Sequence, residues 1–168
     1  MEKPGFFFEE FMIELHIPGR GDIQLEYAVF DVNGTLATDG QLIAGIEPLI
    51  AQLRDRVEVR LLTADTHGKQ LEIDWLLNLT ADRLKPGGHE REQKADYVRA
   101  LGAQHVVAIG NGGNDVDMLR AATLGIAVIG HEGAAAEALA AADVVTHDVV
   151  DAIGLLLNTK RLIATLRR

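Results

Sequence analysis

Cysteine is absent from this 168-residue chain, which excludes disulfides, thiolate metal sites and a cysteine nucleophile. No apolar stretch approaches the roughly 20 residues that cross a bilayer, so no contact with a membrane is expected. The opening MEKPGFFFEEFM sets acidic residues around a short aromatic run. It lacks the basic-then-apolar layout of an export signal, and the expected compartment is the cytoplasm. Basic residues are outnumbered, 16 against 25, for a formal net charge of -9. Broad contact with nucleic acid or anionic lipid is disfavoured. Attraction of an anionic substrate must then come from a local site or a bound cation. Internal repeats, low-complexity blocks and long linkers are also missing.

What remains is an ordinary globular composition, 48% hydrophobic and 24% charged, long enough for one well-buried domain. After a tail at 1–10, FMIELHI and DIQLEYAVF read as two strands around the turn Pro18-Gly19-Arg20-Gly21, an opening hairpin at 11–26. Apolar strands follow at 57–62, 105–109, 125–129 and 143–146, with a weaker one at 82–85. Helical periodicity runs over 46–56, 69–77, 91–101, 115–122, 134–141 and 149–157, and 160–168 reads as a short basic helix. Such alternation predicts a parallel sheet with helices on both faces. The expected organisation is a single α/β domain over 11–168.

In open parallel sheets, ligands bind beyond the carboxyl ends of the strands. Asp31, Thr63 and the loop Gly110-Asn111-Gly112-Gly113-Asn114-Asp115 each follow an apolar strand directly, and Lys94 starts the helix that leads into the fourth strand. A carboxylate, a hydroxyl, a lysine and a glycine-rich acidic loop on one edge suit phosphate and Mg²⁺. Hard cations take oxygen ligands, phosphate takes backbone N–H groups and a cation, and aspartate can serve as a nucleophile.

These residues carry a resemblance. Phe30-Asp31-Val32-Asn33-Gly34-Thr35-Leu36 resembles the first motif of the haloacid-dehalogenase-like phosphohydrolases, in which Asp is followed two positions later by Asp and then Gly-Thr-Leu. Leu61-Leu62-Thr63-Ala64-Asp65 is similar to their second motif, Lys94 matches the third in position, and GNGGNDVDML from Gly110 is similar to the fourth. All four occur in family order, from about Ile23 to the C-terminus. The resemblance implies a three-layer Rossmann-like sheet. The intervals 31–63 and 63–94 are already filled by core elements, so a capless member is expected. A small flap at 36–43 would turn at Asp39-Gly40. Asn33 departs from the phosphatase pattern. P-type ATPase phosphorylation domains carry Asp-Lys-Thr-Gly-Thr there, also without the second acid, and their Thr-Gly-Asp is mirrored by Thr63-Ala64-Asp65. The chain looks most like a small soluble P-type-ATPase-like member. It lacks the membrane spans and the nucleotide-binding domain of a pump.

By that resemblance Asp31 would attack phosphorus and form an aspartyl-phosphate that water later hydrolyses. Mg²⁺ would be held by Asp31, the carbonyl of Asn33 and the fourth-motif loop, through Asn111 and above all Asp115. Thr63, Lys94 and the amides of Gly34 and Thr35 would hold the phosphoryl oxygens, with Asn114 and Asp65 in secondary roles. Asn33 cannot exchange a proton, and losing general acid–base help typically costs roughly 10²–10⁴-fold. Asn111 puts a neutral amide where the family has a metal ligand. Slow turnover is expected, best with good leaving groups such as acyl or aryl phosphates. The partner is a phosphorylated substrate. The opening hairpin and the final helix are candidate contacts between copies of the chain.

Blander readings stand beside these. An aspartate at a strand end is usually a turn or cap residue, and Asp115 by itself reads as a helix N-cap. Lys69 and Lys85 compete with Lys94. Gly110-x-Gly112 suggests a dinucleotide loop only weakly, because position 115 is Asp. The six histidines, His16, His67, His89, His105, His131 and His147, have no metal-ligand spacing, and His67 alone lies near the second motif. The basic C-terminal segment reads as a packed or solvated helix. A response-regulator receiver would carry an acidic pair before the acceptor aspartate and lack Gly-Thr-Leu after it. The chief rival is a binding or regulatory protein that keeps the fold and phosphorylates Asp31 without useful turnover.

Overall fold

The structure, a computed structural model, describes residues 11–65 and 68–168. The expected tail at 1–10 and His67 lie outside the described residues. Alternating apolar positions build an antiparallel hairpin from β1 (Ile13–Ile17) and β2 (Gly21–Leu25), paired from Ile13 opposite Leu25 to Ile17 opposite Gly21. The chain then enters a six-stranded parallel sheet of β3 (Tyr27–Asp31), β6 (Glu58–Thr63), β7 (Asp82–Arg83), β8 (Val106–Gly110), β9 (Leu124–Val128) and β10 (Val144–Thr146). Its spatial order is β10-β9-β8-β3-β6-β7. DIQLEYAVF is therefore two strands. The break falls at Glu26, whose N–H donates to His105 O and whose carbonyl accepts from Glu58 N, both at 2.9 Å.

Between β3 and β6 run a flap, β4 (Ala37–Thr38) with β5 (Gln41–Leu42), and helix α1 (Ile46–Arg54). Asp39 and Gly40 both take positive φ, 53° and 77°, as a two-residue type I′ turn requires. The remaining helices are α2 (Gln70–Leu77), α3 (Glu90–Leu101), α4 (Val116–Ala121), α5 (Ala136–Ala141), α6 (Val149–Leu157) and α7 (Thr159–Leu166). The expected helix at 115–122 opens instead with a 3₁₀ turn, Gly113–Asp115.

The sheet is buried on both faces. Ala28 and Phe30 of β3 join the hairpin and α1, α6 and α7 in one apolar cluster, while Val29 joins Val98 of α3, Met118 and Leu119 of α4 and Ala138 of α5 in the other. Strand side chains alternate in direction, so each face of one strand serves a different layer. The hairpin closes the first layer. Its inward residues, Ile13, Leu15 and Leu25, are fully buried. Arg20 at its turn donates to Asp143 Oδ1 at 2.9 Å and to Thr123 O at 3.3 Å.

From β3 the sheet grows in both directions, to β6 on one side and β8 on the other. This is the switch point at which a crevice opens beyond the strand ends. Asp31 ends β3 and Gly110 ends β8. Because the hairpin is core, Leu15→Ala should cost about 2–5 kcal/mol of unfolding free energy in urea titration. Glu14→Ala, on the exposed face of the same strand, should stay within about 0.5 kcal/mol.

Candidate active site

The crevice brings together residues from three separate motifs. Lys94, buried in the second turn of α3, places Nζ 2.7 Å from Asp31 Oδ1 and 2.8 Å from Asp115 Oδ1. Asp115 is fully buried. Its Oδ2 accepts the amides of Asn111 and Gly112, both at 3.0 Å. This fold-back needs Gly110, since a Cβ there would sit 2.5 Å from Asp115 Cγ. Neither Lys69 nor Lys85 enters this cluster; both are exposed.

Thr63 ends β6, where Oγ1 accepts from Asn33 Nδ2 at 3.3 Å and from the Asp65 amide at 2.9 Å. With both lone pairs engaged, the hydroxyl proton is what Thr63 has left to give a ligand. Thr35 Oγ1 donates towards Asp31 Oδ2 at 3.3 Å and lies 3.5 Å from Asn111 Oδ1. Asp31, Thr35, Thr63, Lys94, Asn111 and Asp115 are all buried, and Asn33 is half-buried.

Other expected residues are placed differently. Asn114 turns to α3 and donates to Glu90 Oε2 at 3.0 Å, and Asp65 is exposed with φ at 53°. The amides of Gly34 and Thr35 are engaged inside the loop, donating to Ala37 O at 2.7 Å and Val32 O at 3.2 Å. Gly34 has φ of 84°, and a Cβ on it would collide with Glu132 Oε2 and come within 2.9 Å of Asn111 Oδ1. Glu132 was not singled out by the sequence, where its one signal is a position in the glycine-bounded turn after β9. Beside Gly34 and Thr35 opens a cavity of about 260 Å³, walled by Thr38 and Ile43 of the flap and by His131 and His147.

One ammonium between two carboxylates leaves the cluster net negative. Burial and then the Asp115 charge push the Asp31 carboxyl up to about 7, against the opposing pull of Lys94. Burial alone would lower the Lys94 ammonium, but Asp31 and Asp115 outweigh it and raise it above the usual lysine range. A second cation would relieve the deficit and favour ionised Asp31. Among the described residues no three His, Cys, Asp or Glu side chains converge. A cation here would rest on the two carboxylates with neutral oxygens such as Asn111 Oδ1, a donor set that suits a hard divalent ion.

Residues 97–155 match the family described as haloacid dehalogenase-like hydrolases. The six-stranded parallel sheet with helices on both faces agrees with that match. Over that segment, about a third of the chain, the sequence is similar to haloacid dehalogenase-like hydrolases. It is 52% identical over 62 residues to an uncharacterised protein of Methanocaldococcus jannaschii, across 37% of this chain and 67% of the relative. Its fold is similar to the cobalt-bound deoxy-D-mannose-octulosonate 8-phosphate phosphatase of Haemophilus influenzae, with a TM-score of 0.66 at 18% identity, covering 82% and 90% of the two chains. It is also similar to part of a zinc-transporting PIB-type ATPase in its E2.Pi state. There the TM-score is 0.56 at 28% identity, over 74% of this chain and 21% of that one. No helix among the described residues is long and apolar enough to cross a membrane.

The raised Asp31 carboxyl has a definite sign for stability. An unfolded aspartate loses its proton near the ordinary 3.8, whereas the folded one holds it to about 7. The metal-free fold should therefore lose stability as pH rises between those values. Asp31→Asn should remove that loss, melting several degrees above the parent at pH 8 without divalent ions and approaching it at pH 4, as thermal unfolding will report.

Proposed function

We propose that this chain is a Mg²⁺-dependent phosphohydrolase that works through phosphorylation of Asp31, of the P-type-ATPase-like kind within its superfamily. The observation that carries this reading is Lys94 Nζ held between Asp31 and Asp115 at 2.7 and 2.8 Å at the switch point of the sheet. A structural aspartate does not need a buried lysine and a second buried carboxylate from two other motifs. Asp31, Asp115, Asn111 and the Asn33 carbonyl are the oxygens that would hold Mg²⁺. The ion would supply Lewis-acid charge neutralisation and bring Asp31 to its anionic, nucleophilic form.

Asp31 forms the bond to phosphorus as the bond from phosphorus to the leaving-group oxygen breaks. Lys94 and the Thr63 hydroxyl bind the equatorial oxygens, where charge builds in the transition state. Asn33 holds Thr63 in place through its amide but donates no proton to the departing oxygen. The leaving group therefore departs as an anion, which restricts efficient turnover to acyl and aryl phosphates. A net charge of -9 makes this local pairing of cations with the phosphoryl group the source of attraction.

Phosphate release from acetyl phosphate, an aryl phosphate and alkyl phosphates tests the reading. Release should require both Mg²⁺ and Asp31, vanish in Asp31→Asn, and fall by roughly 10²-fold or more from aryl to alkyl substrates. Fast hydrolysis of alkyl phosphates would contradict the role given to Asn33. Asn33 and Asn111 favour the second reading, a phosphorylatable regulatory protein. Stable labelling of Asp31 without phosphate release would establish that reading instead.

A further inference from the structure

We propose that the cavity beside Gly34 and Thr35 is the leaving-group subsite and selects an uncharged, ring-sized group; this rests on the phosphohydrolase reading above. The neighbours of Asp31 set the side from which a substrate can approach. Lys94, itself tied to the buried Asp115, occupies Asp31 Oδ1. Oδ2 meets the Thr35 hydroxyl at 3.3 Å, and Thr35 is part of the cavity wall. Asp31 therefore stands one side chain behind that wall. A phosphoryl group approaching Oδ2 has the cavity beside it for the organic part of its ester.

Three segments build the cavity, and each is held in place before any substrate arrives. The flap contributes Thr38 and Ile43, and the Ile43 amide donates to Leu36 O at 2.9 Å. The turn after β9 contributes Gly130 and His131, with Gly130 N donating to His147 O at 2.8 Å. The junction of β10 and α6 contributes His147, Asp148 and Val149. There Thr146 Oγ1 donates to Asp148 O, and Asp148 Oδ1 accepts from Asp151 N, both at 2.8 Å.

Size and lining define what fits. The volume of about 260 Å³ exceeds the roughly 150 Å³ that accommodates benzene and falls short of the roughly 300 Å³ at which pockets for drug-sized ligands begin. One substituted ring suits that space. Ile43 and Val149 supply apolar surface, while Thr38, His131 and His147 can hydrogen-bond a neutral substituent. Among the described residues no lysine or arginine lines the cavity, and its carboxylate is Asp148. A second anionic group on the substrate would lose hydration against Ile43 and Val149. It would also face Asp148 with no lysine or arginine to offset either cost.

The test measures kcat/KM of the full chain with Mg²⁺ for acetyl phosphate, phenyl phosphate and 4-carboxyphenyl phosphate. Phenyl phosphate should exceed its carboxylated analogue by about 10-fold or more. The carboxylated phenol is the slightly better leaving group, so a lower rate with it reports the subsite. Ile43→Trp fills the cavity and should lower the ratio of kcat/KM for phenyl over acetyl phosphate by about 10-fold or more. Unfolding would instead lower both together. Equal turnover of the two aryl phosphates, or a parent-like ratio in an Ile43→Trp protein that still hydrolyses acetyl phosphate, would overturn this proposal and leave the phosphohydrolase reading intact. No phosphate release from any of the three substrates by the unaltered protein would overturn the parent reading and this one with it.

Discussion

Lys94 reaches from α3 to Asp31 at the end of β3 and to Asp115 at the start of α4, and all three side chains are buried. Each carboxylate left unpaired there would carry a desolvation cost of several kcal/mol, so removing the Lys94 ammonium that serves both typically costs about 3–5 kcal/mol. The positions of β3, α3 and the loop after β8 are thereby coupled through one ammonium. Other polar contacts at the edge depend on it. Asp115 can gather the amides of Asn111 and Gly112 because Lys94 fixes its other oxygen. Thr35 can reach Asp31 Oδ2 because Oδ1 is already engaged.

The cluster is also incomplete in charge, which links stability to chemistry. Two carboxylates and one ammonium confined in a low-dielectric site favour either a proton on Asp31 or another cation. Asp115 accepts two backbone N–H groups, while Asp31 has only the Thr35 hydroxyl besides Lys94, and burial with the neighbouring Asp115 charge raises the Asp31 carboxyl. The proton therefore falls on Asp31 when no cation is bound. The same asymmetry makes Asp31 the group that a bound cation would return to its ionised form. Structural economy alone would replace these ions with apolar side chains, so the arrangement is better explained by what it binds.

Much of this was legible in the sequence because it depends on local pattern. Apolar runs ending in Asp31, Thr63 and Gly110 indicated which strands carry the site, and the spacing of Lys94 ahead of Gly110 singled out the lysine that joins them. What escaped depends on contacts between distant segments. Glu26 looks like any polar residue within an alternating run, and only its bonds to His105 and Glu58 divide that run into two strands. Gly34 and Thr35 suggested phosphate-facing amides. Those amides instead close the loop onto Val32 and Ala37, a register that residue types alone do not specify. Glu132 has no motif, and its approach to Gly34 arises from the packing of the β9 turn on the β3 loop.

Asn33 and Asn111 can be understood together as exchanges of an acid for a donor. Asn33 Nδ2 donates to Thr63, and Asn111 Nδ2 donates to the carbonyl of Gly133. An ionised aspartate at either position could make neither bond, because it has only acceptors. At Gly133 it would instead set a carboxylate against a carbonyl oxygen and push the β9 turn away. The amide at 111 therefore adds no negative charge beside Asp31 and, through its contact with Gly133, holds the turn that carries Glu132. A carboxylate lost from the fourth motif is accompanied by one brought in on a neighbouring loop. The site keeps an acidic group at its rim while its interior becomes more hospitable to an anion.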